Sequence, residues 1–164
     1  MRIKSYNKSS KDQRSKIETE CRLVYFGDGI DIGKQLIFSS IGKKVYGLAH
    51  NQIGGDKKVF IAKNEYVNGA YNLVNGFLIF INAEIVSHSD DYILAQEGCM
   101  SFPDKFVDVK RYNEVIVRHQ IKSRNSNDGD AFVEEKFFGL SARIIQHEID
   151  HTNGIHIFNK KEKK

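Results

Sequence analysis

Gln146-His147-Glu148-Ile149-Asp150-His151 is the stretch on which the reading of this 164-residue chain turns. Gly139 stands before it and Asn153-Gly154 after it, so the spacing predicts a helix from Ser141 to His151 with a glycine stop. On a helix, His147 and His151 lie about 40° apart on one face, one turn above the other. Two imidazoles so placed can converge on one metal ion. Glu148, beside the first, can take a proton from water that such a metal activates, the HExxH arrangement. Leu140, Ile144 and His147 fall on one stripe, which predicts that His147 faces the buried apolar side.

Such a site needs a third protein ligand. A glutamate about twenty residues downstream has no counterpart before Lys164. The pattern HExxHxxGxxH places Gly154 correctly, but the next histidine, His156, comes one residue early. An upstream cysteine is the third source. Cys99 sits in Glu97-Gly98-Cys99-Met100-Ser101-Phe102-Pro103, where Gly98 permits close backbone approach and Pro103, the only proline, stiffens the chain beyond. Glu97 is an acid among apolar neighbours. One thiolate and two imidazoles leave a fourth position open, as catalysis requires. Cys21 has no such setting and is assigned no role.

Outward from these segments, Ile32, Leu36, Ile37 and Ile41 recur at helical spacing and predict a helix over 30–42. Strands are expected at Val59–Ala62, Phe77–Asn82, Val107–Val109, Val115–Gln120 and Phe132–Phe138. Val45–Gly55 reads as a loop feeding a strand. Asn68-Gly69 and Asn75-Gly76 are turn signals, and Ser123–Asp130 joins two antiparallel strands. A weak helical pattern runs from Ile17 to Leu23. The fold class expected is α+β, with antiparallel strands packed around the C-terminal HExxH helix.

Lys and Arg number 25 against 21 Asp and Glu, a net charge of +4. Residues 1–22 hold seven basic and three acidic side chains, and 160–164 hold four and one. The body, 23–159, is left mildly acidic. The chain therefore divides into a basic polar arm (1–22), a catalytic domain (23–159) and a basic tail (160–164). This distribution argues against a specific nucleic-acid partner. Two cysteines make no disulfide framework. No signal-peptide run or membrane span is legible, which points to the cytoplasm or an equivalent reducing compartment.

Three segments together resemble the signature of the peptide deformylases, usually written GxGxAAxQ, EGCxS and QHExDH in that order. The second stands intact as Glu97-Gly98-Cys99-Met100-Ser101 and the third as Gln146 to His151. The first is degraded. Val45-Tyr46-Gly47-Leu48-Ala49-His50-Asn51-Gln52 keeps Gly47, Ala49 and Gln52, but Val45 replaces a glycine and His50 an alanine. The resemblance runs from about residue 30 to 158. It implies removal of the formyl group from N-formylmethionyl peptides, with release of formate. It implies metal ligation by Cys99, His147 and His151, with Fe²⁺ the usual native ion and Zn²⁺, Ni²⁺ or Co²⁺ able to occupy the site. Glu148 becomes the general acid and base. The Gln52 amide and the Met100 N–H become oxyanion donors, and Glu97 with Arg111 a supporting ion pair.

The same carry-over places Gly47, Leu48, His50, Arg143 and Ile144 at the substrate. Arg143, one turn before His147, is expected to pair with an acid or to line the pocket with its stem. His50 reads either as a surface loop residue or as a polar constriction of the entrance. Three rivals remain at this stage: an HExxH metalloprotease, a catalytically inactive deformylase-like binding protein, and an RNA-binding protein resting on the charged ends. A monomer is expected, with at most weak ribosome contact through Lys160–Lys164.

Overall fold

The computed structural model describes residues 3, 5, 11–123 and 130–160. Two helices open the chain, α1 (Lys11–Ile17) and α2 (Phe26–Ser40). Nine strands follow: β1 (Gly47–Ala49), β2 (Val59–Lys63), β3 (Leu73–Val74), β4 (Phe77–Ile81), β5 (Glu84–His88), β6 (Tyr92–Cys99), β7 (Phe102–Tyr112), β8 (Glu114–Lys122) and β9 (Asp130–Phe138). A 3₁₀ turn (His50–Ile53) follows β1. Helices α3 (Gly139–Thr152) and α4 (Ile157–Lys160) come last. The strands form three antiparallel sheets, ordered β1-β2-β4-β3, β5-β8-β9 and β6-β7.

The four-stranded sheet is covered on both faces. This explains why Phe77-Leu78-Ile79-Phe80-Ile81 reads as one apolar run rather than an alternation. Leu78 and Phe80 of β4, with Phe60 and Ala62 of β2, pack toward Ile145 and Ile149 of α3. Ile79 and Ile81, with Val59 and Ile61, pack toward Leu36 and Ile37 of α2. Phe60 and Phe80 stack with centroids 4.7 Å apart. The sheet thus holds α3 as a rigid bed. Asn75 and Gly76, at φ 48° and 78°, form the two-residue turn between β3 and β4.

The expected helix over 30–42 begins four residues earlier and ends at Ser40; four of the expected strands lie within observed ones, and the fifth, Phe77–Asn82, overruns β4 by one residue. β5 and β6 escape the sequence pattern. Their residues are mostly exposed or half-buried, so their apolar side chains do not alternate. The helical pattern expected over Ile17–Leu23 is corrected: the helix ends at Ile17. Part of the basic polar arm packs on the rest of the chain. Ile17 is fully buried, and the Cys21 N–H donates to the Thr152 carbonyl at 2.8 Å. Most of residues 1–10, all of 161–164, and residues 124–129 of the connection expected over Ser123–Asp130 lie outside the described residues.

Helix α2 approaches β4 closely through its glycines. A Cβ on Gly33 would lie 2.5 Å from Ile79 Cγ2, and one on Gly29 2.8 Å from Ile81 Cγ2. Propensity alone makes Gly→Ala in a helix favourable by about 1 kcal/mol. Here overpacking reverses the sign. Gly33→Ala is expected to destabilise the protein by about 1–3 kcal/mol in urea denaturation, and a stabilised variant would refute this close approach.

Candidate active site

Helix α3 divides its polar and apolar residues into pairs one turn apart, each with its own destination. Ile145 and Ile149 enter the core. Gln146 and Asp150 dock on β7. The Gln146 amide accepts from the Tyr112 N–H at 3.0 Å and donates to the Tyr112 carbonyl at 2.9 Å, as a neighbouring strand would. Asp150 accepts from Arg111 Nη1. His147 and His151 face Cys99, and Ile144 and Glu148 face an open cleft.

Cys99 comes from the β6–β7 hairpin. Cys99 pairs with Phe102, so Met100 and Ser101 form the turn, while Gly98 pairs with Phe106. Pro103, Asp104 and Lys105 are therefore extruded as a bulge on β7, with Asp104 at φ 62°. A Cβ on Gly98 would meet the Phe106 ring at 2.8 Å, so only glycine fits beneath that ring.

The ligand atoms of Cys99, His147 and His151 all lie within 4.8 Å of one another. Cys99 Sγ is 3.1 Å from His151 Nε2, and the two histidine Nε2 atoms are 3.2 Å apart. His147 Nδ1 lies 3.0 Å from Glu97 Oε2. A proton on Nδ1 serves that carboxylate and turns the Nε2 lone pair toward the cluster. Burial resists protonation of His147, but its hydrogen bonds to Cys99 and Glu97 outweigh burial and draw a proton in. Burial and the neighbouring His147 keep His151 neutral. A buried donor set that attracts one positive charge suits a cation. One thiolate and two imidazoles fit a divalent transition metal.

Glu97, only 7% exposed, lies beneath the cluster. Arg111 Nε and Nη2 each donate to it at 2.9 Å, one to each oxygen, and Arg143 Nη1 donates at 2.6 Å. Burial opposes its ionisation. The Arg111 and His147 hydrogen bonds overcome that opposition and hold the carboxyl well below the usual carboxylate range.

The cleft above the cluster has a volume of about 880 Å³. Val45, Gly47 and Gln52 line one wall, Gly98, Met100 and Phe106 another, and Leu140, Arg143, Ile144, His147 and Glu148 the floor. Gly47 is glycine for a steric reason: a Cβ there would lie 2.5 Å from Glu148 Oε1. Glu148 is 4% exposed, and its Oε2 has no hydrogen-bond partner among the described residues. Burial pushes its pKa up to about 7. Gln52 is locked in one orientation. Its Oε1 accepts from the Ala49 N–H at 2.8 Å, so its amide nitrogen faces Ser101 Oγ at 3.1 Å and Cys99 Sγ at 3.5 Å.

Not every residue expected at the substrate is on the cleft wall. Leu48 is fully buried against α2 residues. His50 is neither a free surface residue nor a constriction. Its Nδ1 accepts from the Lys57 N–H at 3.2 Å and its ring covers Gly55, where a Cβ would come within 2.1 Å. The stripe containing Leu140 is also corrected, since Leu140 is 53% exposed and faces the cleft, not the core. His156 is not in the ligand cluster; its Nε2 is 3.6 Å from Glu18. Arg143 does both things expected of it, pairing with Glu97 and lining the cleft.

Four site residues escaped the sequence reading. Gln146 and Asp150 are inside the quoted motif, but their partners on β7 have no local signal. Ser101 receives Gln52. Asn51 donates to the His151 carbonyl at 2.6 Å and to the Ile17 carbonyl at 3.3 Å. The polarity of a fully buried Asn51 is the one clue that a sequence offers only after burial is known.

The family model for polypeptide deformylases matches residues 11–164. A peptide deformylase of Thermotoga maritima is 30% identical over 97% of this chain and 78% of its own length. One of Thermotoga neapolitana is 38% identical over 70% of this chain, which spans 60% of that relative's length. The crystal structure of the Thermotoga maritima peptide deformylase superposes with a TM-score of 0.75 at 26% identity, covering 98% of this chain and 97% of that one. With the two intact motifs meeting at one cleft, these matches establish that the chain belongs to the polypeptide deformylase family, whose members remove the formyl group from N-formylmethionine on nascent peptides.

Proposed function

We propose that this chain hydrolyses the formamide of N-formylmethionyl peptides to formate and a free amino terminus. The carrying observation is the buried Glu148 carboxyl, without a partner among the described residues, beside a Cys-His-His cluster at the floor of a peptide-sized cleft. Cys99, His147 and His151 would hold a divalent metal, which would supply Lewis acidity and lower the pKa of water toward neutrality. Iron(II) is the ion proposed, with zinc, nickel or cobalt as substitutes. Glu148 accepts a proton from the attacking water as a C–O bond forms at the formyl carbon. Gln52 Nε2 and the Met100 N–H donate to the oxyanion that develops there. Glu148 then returns the proton to the departing amine as the C–N bond breaks. Leu140, Ile144 and the Arg143 stem offer the apolar surface for the methionine side chain.

The chain is read as a monomer in the cytoplasm or an equivalent reducing compartment. No helix among the described residues is long and apolar enough to cross a membrane. Its macromolecular contact is a weak, salt-sensitive attraction to the ribosome through Lys160–Lys164, without sequence-specific nucleic-acid recognition.

Metal analysis combined with formate release from formyl-Met-Ala-Ser tests this reading. Wild type is expected to contain one divalent metal and to release formate; a metal-loaded, folded chain that releases none would refute it. Chelation is expected to abolish turnover and metal return to restore it. Glu148→Gln is expected to keep the metal and lose about 10²–10⁴ in kcat/KM, and Gln52→Ala about 10²–10³.

The Glu148 carboxyl also makes a prediction about stability. Its folded pKa of about 7 lies above the ordinary 4.5, so the folded state holds the extra proton. Stability contributed by that protonation is full below about pH 4.5 and is lost as pH rises through 7. In the metal-free protein, Glu148→Gln is therefore expected to raise the melting temperature at pH 8 and to have little effect near pH 5. Equal effects at both pH values would show that Glu148 is not desolvated.

A further inference from the structure

We infer that Arg143 is a positioning residue for the metal centre: together with Arg111 it fixes the Glu97 carboxylate that orients His147, and it ties the helix carrying both histidines to the strand carrying Cys99. The inference rests on the metal-centre reading above. Its evidence is the direction of each guanidinium contact. Nη1 is 2.6 Å from Glu97 Oε1 and 3.2 Å from the Val109 carbonyl, and Nη2 is 2.6 Å from the Ile93 carbonyl. The side chain is 13% exposed, so its stem lines the cleft while its charged end is turned inward.

The count of donors on Glu97 is complete. Oε1 receives Arg111 Nε and Arg143 Nη1; Oε2 receives Arg111 Nη2 and His147 Nδ1. A carboxylate offers about four lone-pair sites, and all are filled. With Arg111 alone, the carboxylate is held from β7 only. Arg143 holds it from α3, one turn from His147 on the same helix. The Ile93 bond then reaches β6, the strand that ends at Cys99. The three ligands come from two elements, and Arg143 spans both.

Charge alone predicts the opposite effect. A guanidinium near the cluster repels a dication, so removing it should tighten metal binding. Positioning predicts weaker binding, because a ligating histidine whose outer hydrogen-bond partner is disturbed typically loses about 10–100-fold in metal affinity. The sign of the change separates the two.

The experiment is zinc affinity of the full chain by chelator competition, with circular dichroism to confirm folding. Arg143→Met is expected to weaken zinc binding about 10–100-fold. Arg143→Lys, which keeps the charge but not the fork, is expected to weaken it in the same direction, and it carries the test if Arg143→Met does not fold. In the cobalt-loaded protein, Arg143→Lys is expected to shift the visible absorption bands that report ligand geometry, whereas Leu140→Ala on the cleft floor leaves them in place. Unchanged or tighter zinc binding in a folded Arg143→Met protein overturns the proposal. So does full recovery of affinity by Lys, or cobalt absorption bands in Arg143→Lys identical to those of wild type. A folded wild type that binds no zinc and releases no formate overturns the metal-centre reading itself, whereas a failure confined to the Arg143 variants leaves that reading standing.

Discussion

Burying the Glu97 carboxylate beneath the Cys99-His147-His151 cluster is costly, and the surrounding structure is arranged to meet that cost. An unpaired carboxylate in such a place would take up a proton and cease to orient anything. Two arginines and a histidine keep it charged. Arg111 is itself shared with Asp150, so strand β7, strand β6 and helix α3 meet in one ion network. Networks of this kind contribute little net stability against a well-packed apolar core, but removing one member strands a buried charge. Their value here is geometric, since they set how the hairpin and the helix face each other.

Helix α3 converts that geometry into chemistry because it is anchored on several sides at once. Its isoleucines lie on a sheet whose opposite face is itself packed against α2. Gln146 extends the pairing of β7 by imitating a strand. What remains free is the side bearing His147, Glu148 and Ile144, and Gly47 leaves room there for the Glu148 carboxyl. The Glu148 carboxyl, 4% exposed, is thus held between the Gly47 backbone on one side and the core on the other, a preorganised environment rather than a mobile one.

Much of the site was legible from the chain because its signals are local. His147, Glu148 and His151 share one helical face, and Cys99 is framed by Gly98 and Pro103. The helices and most strands were legible for the same reason, through period and turn chemistry. What was lost depends on partners distant in sequence. β6 reads poorly because the hairpin stands half in solvent, so burial does not impose alternation. Leu48 and His50 sit within a substrate-like motif, yet one turns into the core and the other caps Lys57, because a short strand followed by a 3₁₀ turn sends successive side chains in different directions. Arg143 was visible as a residue of the right face, but its acceptors on Ile93 and Val109 belong to another sheet.

Asn51 joins the carbonyls of His151 and Ile17 with one buried amide, and the Cys21 N–H reaches the Thr152 carbonyl. A Cβ on Gly154 would press on the backbone of Glu18, so the turn after α3 also rests on the segment after α1. These contacts have a consequence for how the molecule comes into being. During synthesis residues 17–21 emerge long before the partners they need, and His147 and His151 are made only after β9. A chain made only as far as β9 holds Cys99 of the cluster but neither histidine. Assembly of the three-residue cluster therefore waits on the helix that follows β9, and the same helix closes the contacts that the segment after α1 has been left holding open.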